Sequence, residues 1–289
     1  MEKVTFIINP ISGHGKKKTI ERSIEKYLDS RFVVDIKYTE AAKHAIELSK
    51  IASEDSDIVV AVGGDGSIHE VAQSLVSTNT KLAIIPMGSG NGLARHLNIP
   101  LDVRKAIDLI NQSKSKKIDV LDFGDSYGFN VSGIGFDAHI AHEFAHYHKR
   151  GFVSYLKISL TEFLKYKAKK YSIQIDDKEA FEMDAFSISI ANSSQFGNNA
   201  FIAPNAIIDD GLFELVIISP FRKRDSPALG IKLFTKQIDK SRFLTVYQAK
   251  KLTIKAQELF EVHKDGEAVG EYIQITAEIR PLALELIIP

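Results

Sequence analysis

The stretch Ile-Val-Val-Ala-Val-Gly-Gly-Asp-Gly-Ser-Ile-His-Glu, residues 58–70, decides the fold class of this chain. It opens with an apolar, mostly β-branched run and continues through two glycines into a segment with helical spacing of apolar residues. Such a pattern predicts a buried parallel strand, a tight turn and a helix. The glycines leave the turn almost without side chains, so its backbone N–H groups can closely approach an anionic ligand.

The same strand–turn–helix order repeats along residues 1–122. Strands are predicted at Val4–Ile8, Phe32–Tyr38, Ile58–Val62 and Leu82–Ile85. Helices are predicted at Lys16–Leu28, Ala41–Ala52 with Thr39 near its N-cap, and Ser67–Val76. This alternation predicts an α/β domain with a parallel sheet and right-handed crossovers. In such sheets ligands bind beyond the carboxyl ends of the strands.

The second half of the chain is rich in β-strand patterns. Strands are predicted at Tyr127–Val131, Tyr171–Ile175, Ala185–Ala191, Leu212–Ile218, Lys251–Lys255 and Tyr272–Ile279. One helical stretch, Asp137–Lys169, interrupts them, and a final strand, Leu282–Ile288, is not placed by the pattern. We therefore expect a second, mainly antiparallel β domain.

Composition narrows the classes of protein that remain. The 289 residues, 44% hydrophobic and 26% charged, suit two globular domains. Cysteine is absent, which excludes disulfides and thiolate metal sites. The 37 basic and 37 acidic residues balance, so nothing global indicates nucleic acid. The N-terminal apolar run is too short for a signal peptide, and no stretch approaches the roughly 20 apolar residues that span a bilayer. We expect a cytoplasmic protein.

Two further glycine-rich turns also join a strand to a helix. Residues 9–16 read Asn-Pro-Ile-Ser-Gly-His-Gly-Lys, with a glycine spacing that fits neither a Walker A loop nor the dinucleotide pattern. Residues 86–92 read Pro-Met-Gly-Ser-Gly-Asn-Gly, where Ser89 and Asn91 offer neutral hydrogen-bonding groups to a ribose or phosphate. Taken singly, either turn could be an ordinary connection.

Acidic residues mark three turns. Asp65 could hold Mg²⁺ near phosphate, accept a proton, or simply cap a helix. Residues 207–212, Ile-Ile-Asp-Asp-Gly-Leu, suit a turn or a hard-cation site made of backbone carbonyls around one Asp. Residues 264–267, Lys-Asp-Gly-Glu, predict a hairpin turn with a carboxylate that could serve as general base.

Taken in order, these five motifs resemble the diacylglycerol kinase catalytic-domain family, which includes sphingosine kinases and bacterial soluble lipid kinases. The match runs over nearly the whole chain. It implies an N-terminal Rossmann-like α/β nucleotide domain, similar to NAD kinases and phosphofructokinases, and a C-terminal β-sandwich-like domain that completes the cleft and holds the lipid. In this family the chain end often returns to the first domain. The implied domains are therefore residues 1–122 with 280–289, and residues 123–279.

The resemblance also implies roles for individual residues. The implied ATP-binding set is Asn9, Pro10, Ser12, Gly13, Thr39, Gly63, Gly64, Asp65, Gly66, Ser67, His69, Gly88, Ser89 and Asn91. Asp65 would lie near the catalytic Mg²⁺, and Asp210 with the carbonyls of Ile207 and Leu212 resembles a second, structural Mg²⁺ site. Glu267 matches the proposed proton acceptor, although related kinases assign that role to the residue that matches Asp65.

The implied activity is ATP- and Mg²⁺-dependent phosphorylation of a lipid hydroxyl, of diacylglycerol or a related lipid. The chain has Gly92 where many bacterial diacylglycerol kinases carry an acidic residue, and its Gly-Ser-Gly-Asn is closer to sphingosine kinases. A sphingoid-base or ceramide kinase therefore stays open. An NAD kinase is disfavoured because the expected Asn-Glu motif is missing. A non-catalytic nucleotide or lipid sensor is the remaining alternative.

Two expectations concern partners. Segment Arg150–Lys169 mixes apolar and basic residues at helical spacing, so it could dock on a membrane surface or pack on the β domain. Members of the family are often homodimers, and no residue of this chain decides whether it forms one.

Overall fold

The computed structural model describes residues 1–12, 17–147 and 152–289. The chain forms two compact units. The first unit is Met1–Val120 with Leu282–Pro289, and the second is Leu121–Pro281. The predicted fold class is confirmed: the first unit is α/β with a parallel sheet, and the second is mainly antiparallel β.

Strands and helices alternate through the first part of the chain. They are β1 Glu2–Ile8, α1 Lys17–Tyr27, β2 Phe32–Tyr38, α2 His44–Ala52, β3 Ile58–Gly63, α3 Asp65–Gln73, β4 Lys81–Pro86, α4 Gly92–His96, α5 Val103–Gln112 and β5 Ser115–Asp122. The parallel strands lie in the order β4-β3-β1-β2. Every residue of β3 is buried, as expected for a central strand covered on both faces.

The parallel register brings the predicted ligand-binding turns to one edge of this sheet. Ile8, at the end of β1, lies beside Val62 of β3, and Gly63 lies beside Pro86 of β4. The three glycine-rich turns therefore leave neighbouring strands at the same edge.

The predicted start of α2 is wrong. The helix begins at His44 rather than Ala41, and its N-cap position is Lys43, with φ 66°. Thr39 is not a cap; its N–H group donates to the carbonyl of Ile8 at 3.0 Å. The first amides of α2 are bound by a distant side chain instead. The carboxylate of Glu70 on α3 accepts from Lys43 N at 2.9 Å and from a second amide in the same turn, at 3.3 Å.

The predicted start of α3 is also two residues late. The helix begins at Asp65, with Gly64 in extended conformation at the N-cap. Asp65 is thus the first residue of the helix rather than part of a loop before it.

The second unit contains the remaining strands and, in its described part, three α-helices. The elements are β6 Tyr127–Gly128, β7 Val131–Gly135, α6 Phe136–Ala145, α7 Phe152–Phe163, β8 Lys169–Ile175, β9 Phe181–Ala185, β10 Ser187–Ala191, β11 Phe213–Ile218, α8 Ser226–Phe234, β12 Leu244–Ala249, β13 Lys251–Lys264 and β14 Glu267–Ile287. The order is β12-β11-β10-β7-β13-β14, and β8 pairs with both β13 and β9. Inward-facing side chains such as Ile188, Leu215 and Phe260 form its core.

The predicted helical stretch Asp137–Lys169 is confirmed in part, and its predicted end is wrong. The segment contains α6 and α7, and Lys169 already belongs to β8. Residues 148–151, including the predicted docking residue Arg150, lie outside the described residues. The sequence pattern also missed α8, whose residues were not assigned to a helix. No helix in the described part of the chain is both long enough and apolar enough to cross a bilayer.

The predicted final strand Leu282–Ile288 is the end of the long strand β14. Its residue Leu286 pairs in parallel with Leu82 of β4, in the first unit. At the start of this segment Leu282 has φ 51°, an unfavourable conformation for a bulky residue. Its N–H group donates to the carboxylate of the fully buried Asp119 at 2.7 Å. This hydrogen bond holds the returning strand in place.

We expect Asp119→Ala to destabilise the first unit by about 1–3 kcal/mol, because the N–H of Leu282 loses a charged acceptor. The measurement is the midpoint of urea unfolding. Asp177→Ala is the control, since this exposed carboxylate makes no hydrogen bond within the described residues. Equal midpoints for the two variants would contradict the assignment.

Candidate functional site

The second and third glycine-rich motifs touch through their backbones. A Cβ placed on Gly88 would lie 2.6 Å from the Cα of Gly64, and a Cβ on Gly64 would lie 3.2 Å from the Cα of Gly88. Met87 N–H also donates to the carbonyl of Gly63 at 2.7 Å. The approach requires glycine at position 88 and leaves little room for a side chain at position 64.

Asp65 joins the same two motifs through its side chain. Its Oδ2 accepts from Asn91 N–H and its Oδ1 from Gly92 N–H, both at 2.7 Å. These amides lie at the N-terminus of α4, where the helix dipole favours a negative charge. The predicted helix-cap alternative is therefore realised, but for α4 rather than for the helix that Asp65 begins.

Asn91 closes the third motif on itself. Its Oδ1 accepts from Gly88 N–H at 3.0 Å, and its Nδ2 donates to the Gly88 carbonyl at 2.9 Å. Asn91 has φ 52°, which asparagine tolerates better than most residues. Ser89, between these two residues, is exposed, so its hydroxyl is accessible from solvent.

The first motif contacts the second. Asn9 Nδ2 donates to the hydroxyl of Ser67 at 3.0 Å, and Asn9 N–H donates to the carbonyl of Val62. A Cβ on Gly63 would lie 3.5 Å from the hydroxyl of Ser12. A small cavity opens here and is lined by Ile8, Asn9, Pro10, Ser12, Ile20, Val62 and Met87. The predicted Gly13 lies outside the described residues.

Two other residues of the predicted ATP-binding set, Thr39 and His69, belong to the same unit. Thr39 follows β2 and is bonded through its N–H to Ile8, so it lies at the same sheet edge as the first motif. His69 lies one turn into α3, and its Nε2 is 3.1 Å from the side-chain nitrogen of Gln73. The structure thus brings the described members of the predicted set together along the carboxyl ends of β1 to β4.

In the second unit, Asp210 lies in an exposed turn before β11. Its Oδ1 accepts from Leu212 N–H at 3.0 Å, and Gly211 between them has φ 77°. Ile207, whose carbonyl was the other predicted ligand, is more than half exposed. One oxygen of Asp210 thus supports the turn.

Glu214 is a second carboxylate near this turn, and it lies outside the sequence motif at residues 207–212. It is buried on β11, and its Oε1 accepts from Gln248 Nε2 at 3.1 Å. Burial raises the pKa of Glu214, and the negative charge of Asp210 raises it further. Within the described residues, Asp210 Oδ2 and Glu214 Oε2 accept no hydrogen bond, and two such carboxylates suit a hard cation. In the described residues, no three acidic or histidine side chains could hold a metal by themselves, so such a site needs backbone carbonyls. The sequence signal for this second carboxylate is the spacing Asp-x-x-x-Glu at residues 210–214.

The predicted hairpin at Lys264–Glu267 is confirmed. Asp265 and Gly266 form a two-residue turn, with φ values of 52° and 88°, between β13 and β14. These angles are typical of the tight turns that suit the twist of two strands. Glu267 is exposed, and its carboxylate has no hydrogen-bond or ion-pair partner within the described residues. Asp65 belongs to the first unit and Glu267 to the second.

Comparison with known families decides which kind of protein carries these motifs. Residues 3–123 match the model of the diacylglycerol kinase catalytic domain, and residues 130–288 match the YegS C-terminal NAD kinase beta sandwich-like domain. The chain belongs to the diacylglycerol kinase catalytic-domain family. It is therefore a lipid kinase, as the five motifs predict.

Several relatives of this lipid kinase share most of its length. It is 32% identical to the probable lipid kinase YegS-like of Yersinia pseudotuberculosis serotype I (strain IP32953), over 80% of this chain and 78% of that one. It is 23% identical to the diacylglycerol kinase of Bacillus subtilis (strain 168), over 96% and 95% of the two chains. The crystal structure of a diacylglycerol kinase from Bacillus anthracis str. Sterne has the same fold, with a TM-score of 0.79 at 22% identity, over 100% of this chain and 97% of that chain.

We expect Gly88→Ala to lower the unfolding temperature, because its new Cβ would force the backbones of the second and third motifs apart. Overpacking of this kind costs about 1–3 kcal/mol. Gly230→Ala on α8 is the matched control, since nothing lies within 4 Å of its Cβ position and alanine favours a helix. Thermal unfolding of the two variants tests this contact. If Gly88→Ala is as stable as Gly230→Ala, the close approach is wrong.

Proposed function

We propose that this lipid kinase transfers the γ-phosphoryl group of ATP to a hydroxyl of diacylglycerol or a related lipid, with Mg²⁺. The observation that carries the proposal is the attachment of the second and third glycine-rich motifs to each other through Asp65. Phosphoryl transfer depends on positioning and charge neutralisation more than on covalent chemistry. Turns rich in backbone N–H groups, fixed at one sheet edge, are suited to hold a triphosphate.

The residues proposed to bind ATP follow from this arrangement and from the family resemblance. They are Asn9, Pro10, Ser12, Gly13, Thr39, Gly63, Gly64, Asp65, Gly66, Ser67, His69, Gly88, Ser89 and Asn91. The exposed hydroxyl of Ser89 supports a role in contacting ribose or phosphate. Glycine at positions 64 and 88 leaves the wall of the site without side chains.

Mg²⁺, when bound, neutralises phosphate charge and favours oxygen ligands. Asp65 is the residue proposed to lie near it, because its carboxylate is fixed between the second and third glycine-rich motifs, where the triphosphate is proposed to bind. A second, structural ion is proposed at Asp210 with the carbonyls of Ile207 and Leu212. The nearby carboxylate of Glu214 supports that assignment, since a cation would balance the two negative charges.

Glu267 is the proposed proton acceptor for the lipid hydroxyl. A general base needs a carboxylate oxygen that can reach the proton. Glu267 is exposed and without partners in the described residues, whereas both oxygens of Asp65 already accept backbone amides. This contrast favours Glu267 over Asp65, which remains the rival for the role.

Turnover by Glu267→Gln and Asp65→Asn tests the proposal, with diacylglycerols, sphingoid bases, ceramides and NAD as acceptors. We expect the wild-type protein to consume ATP with diacylglycerol or a related lipid. Glu267→Gln should lower kcat by about 10²–10⁴-fold, the usual contribution of a general base, at an unchanged unfolding temperature. Asp65→Asn should lower both turnover and unfolding temperature, because an amide side chain has only one oxygen for the two N–H groups.

Glu271→Gln, in an exposed position on the same strand β14, is the control and should keep full activity. A Glu267→Gln variant with wild-type kcat removes Glu267 as the base. ATP consumption with NAD but with no lipid removes the lipid acceptor.

We also propose that α7 meets the membrane from which the lipid comes, as a peripheral contact on the cytoplasmic side. Leu156, Leu160 and Leu164 are 45%, 62% and 60% exposed and recur every four residues, so they form one stripe. Exposed lysines, among them Lys157 and Lys165, lie beside this stripe and suit anionic lipid. A leucine stripe exposed to water marks an interaction surface.

Ile158, on the side of α7 opposite the leucine stripe, is 9% exposed, and Phe163 at the end of the helix packs on the rest of the second unit. The ring of Phe163 lies 6.0 Å from that of Phe136 and 5.9 Å from those of Phe186 and Phe221. Membrane docking and packing on the protein are therefore compatible, because the exposed leucines and the buried Ile158 lie on different sides of one helix.

We expect Leu160→Glu to weaken binding to vesicles that contain anionic lipid by about tenfold or more, since a leucine side chain contributes about 1.5–3 kcal/mol when buried. Co-sedimentation with and without acidic lipid measures this. Thr161→Glu adds the same charge to the neighbouring exposed position without removing a leucine, and it should weaken binding less. Equal losses for the two variants, or no binding by the wild-type protein, would contradict the proposed surface.

A further inference from the structure

The turn that precedes Glu267 has buried polar side chains. His263, Lys264 and Asp265 are only 2%, 3% and 8% exposed. Hairpin turns usually lie on the surface, and charged groups are almost never this buried unless they are paired. Each of these three side chains holds the turn to a different segment of the second unit.

Asp265 makes the most extensive of these contacts. Its Oδ1 accepts from Asn130 N–H at 2.8 Å, and its Oδ2 accepts from Phe129 N–H at 2.9 Å, with a second contact of that amide to Oδ1 at 3.1 Å. A buried carboxylate that accepts two consecutive amides fixes the separation of the two segments, since charge-assisted hydrogen bonds are short and strong.

The segment that Asp265 binds is itself anchored. The carbonyl of Asn130 accepts from Asn192 N–H at 2.9 Å and from Ser193 N–H at 3.2 Å. The carbonyl of Phe129 accepts from the side chain of Asn192 at 3.1 Å. Residues 129–130 therefore give Asp265 a firm attachment to the end of β10.

The two other buried side chains hold the same turn. Lys264 Nζ donates to Asp125 and Ser126, each at 2.6 Å. The Nδ1 of His263 accepts from Gly266 N–H at 3.1 Å, so its Nε2 carries the proton and faces the Asp137 carboxylate at 3.3 Å. The residue directly before Glu267 is thus held as well.

We propose that Asp265 is a positioning residue for Glu267, because its buried carboxylate fixes the two-residue turn from which the Glu267 side chain extends. The inference rests on the proposed function, in which Glu267 accepts the proton of the lipid hydroxyl. Glu267 is exposed, and nothing in the described residues holds its carboxylate, so its reach is set by its backbone. A displacement of about 1 Å is enough to lower a rate by about 10²-fold.

The second unit offers a matched control in the hairpin between β8 and β9. Asp176 also lies in a turn with positive φ, 51°, and its Oδ1 also accepts from two consecutive amides, those of Lys250 and Lys251, at 2.9 Å each. It has the same chemistry as Asp265, but no proposed catalytic residue follows it.

The experiment compares Asp265→Asn with Asp176→Asn in steady-state lipid kinase assays and in thermal unfolding. Asparagine tolerates the left-handed turn but has one acceptor oxygen, so Asp265→Asn, which loses an acceptor at a buried site, should lose more stability than Asp176→Asn. The values of kcat are therefore compared well below both unfolding temperatures. We expect Asp265→Asn alone to lower kcat, by about 10–100-fold, with an unchanged KM for ATP. In the double variant Asp265→Asn/Glu267→Gln, kcat should equal that of Glu267→Gln alone, because Asp265 acts only through Glu267.

Equal kcat for Asp265→Asn and Asp176→Asn, or losses that multiply in the double variant, would overturn the inference and leave the proposed function intact. A wild-type protein that phosphorylates no lipid, or a fully active Glu267→Gln, removes the proposed role of Glu267 and the inference with it.

Should Asp265→Asn not fold, Gly266→Ala gives the answer. At φ 88° and with open space around its Cβ, this change strains the turn without a clash. Its kcat should fall, and a wild-type kcat would overturn the inference.

Discussion

The candidate nucleotide site depends on one carboxylate. Asp65 begins α3 and accepts the first two amides of the next turn, Asn91 and Gly92, at 2.7 Å each. Hydrogen bonds to a charged group contribute about 1.5–3 kcal/mol each, so this contact outweighs most single interactions in the loops. It also lies where the N-terminus of α4 favours negative charge. The two turns are held together before any ligand arrives, which lowers the cost of ordering them around phosphate.

The two units fix their proposed catalytic groups by different means. In the first unit, glycines at positions 64 and 88 allow one backbone to touch another, and side chains are excluded. In the second unit, buried polar side chains hold a hairpin turn, and the carboxylate of Asp265 accepts two consecutive backbone amides there. Glycine suits a surface that must approach phosphate closely. Buried carboxylates suit a hairpin turn that must hold one exposed acid, here Glu267, in place.

The agreement between sequence and structure follows the range of the interactions involved. Strands β1 to β4 were predicted within about two residues, because a run of β-branched residues between polar turns is a local signal. The start of α2 was wrong because its cap is Glu70, a residue of the next helix, rather than Thr39 beside it. The start of α3 was placed two residues late, and its first residue, Asp65, is bonded to amides 26 and 27 positions away. These errors concern boundaries set by contacts that are distant along the chain.

The sequence by itself determined the order of five motifs, and with it the family, the parallel sheet and the residues that we propose for phosphate and metal. It did so because glycine, asparagine and aspartate at strand ends reflect local backbone geometry. Only the tertiary structure decided which partners the acidic residues have and how deeply they are buried. It gave Asp65 two amides from another motif, placed Glu214 in a buried position near Asp210, and buried Asp265 while leaving Glu267 exposed. The sequence does not show which partners a carboxylate will have, because folding brings those partners from 26 to 136 positions away.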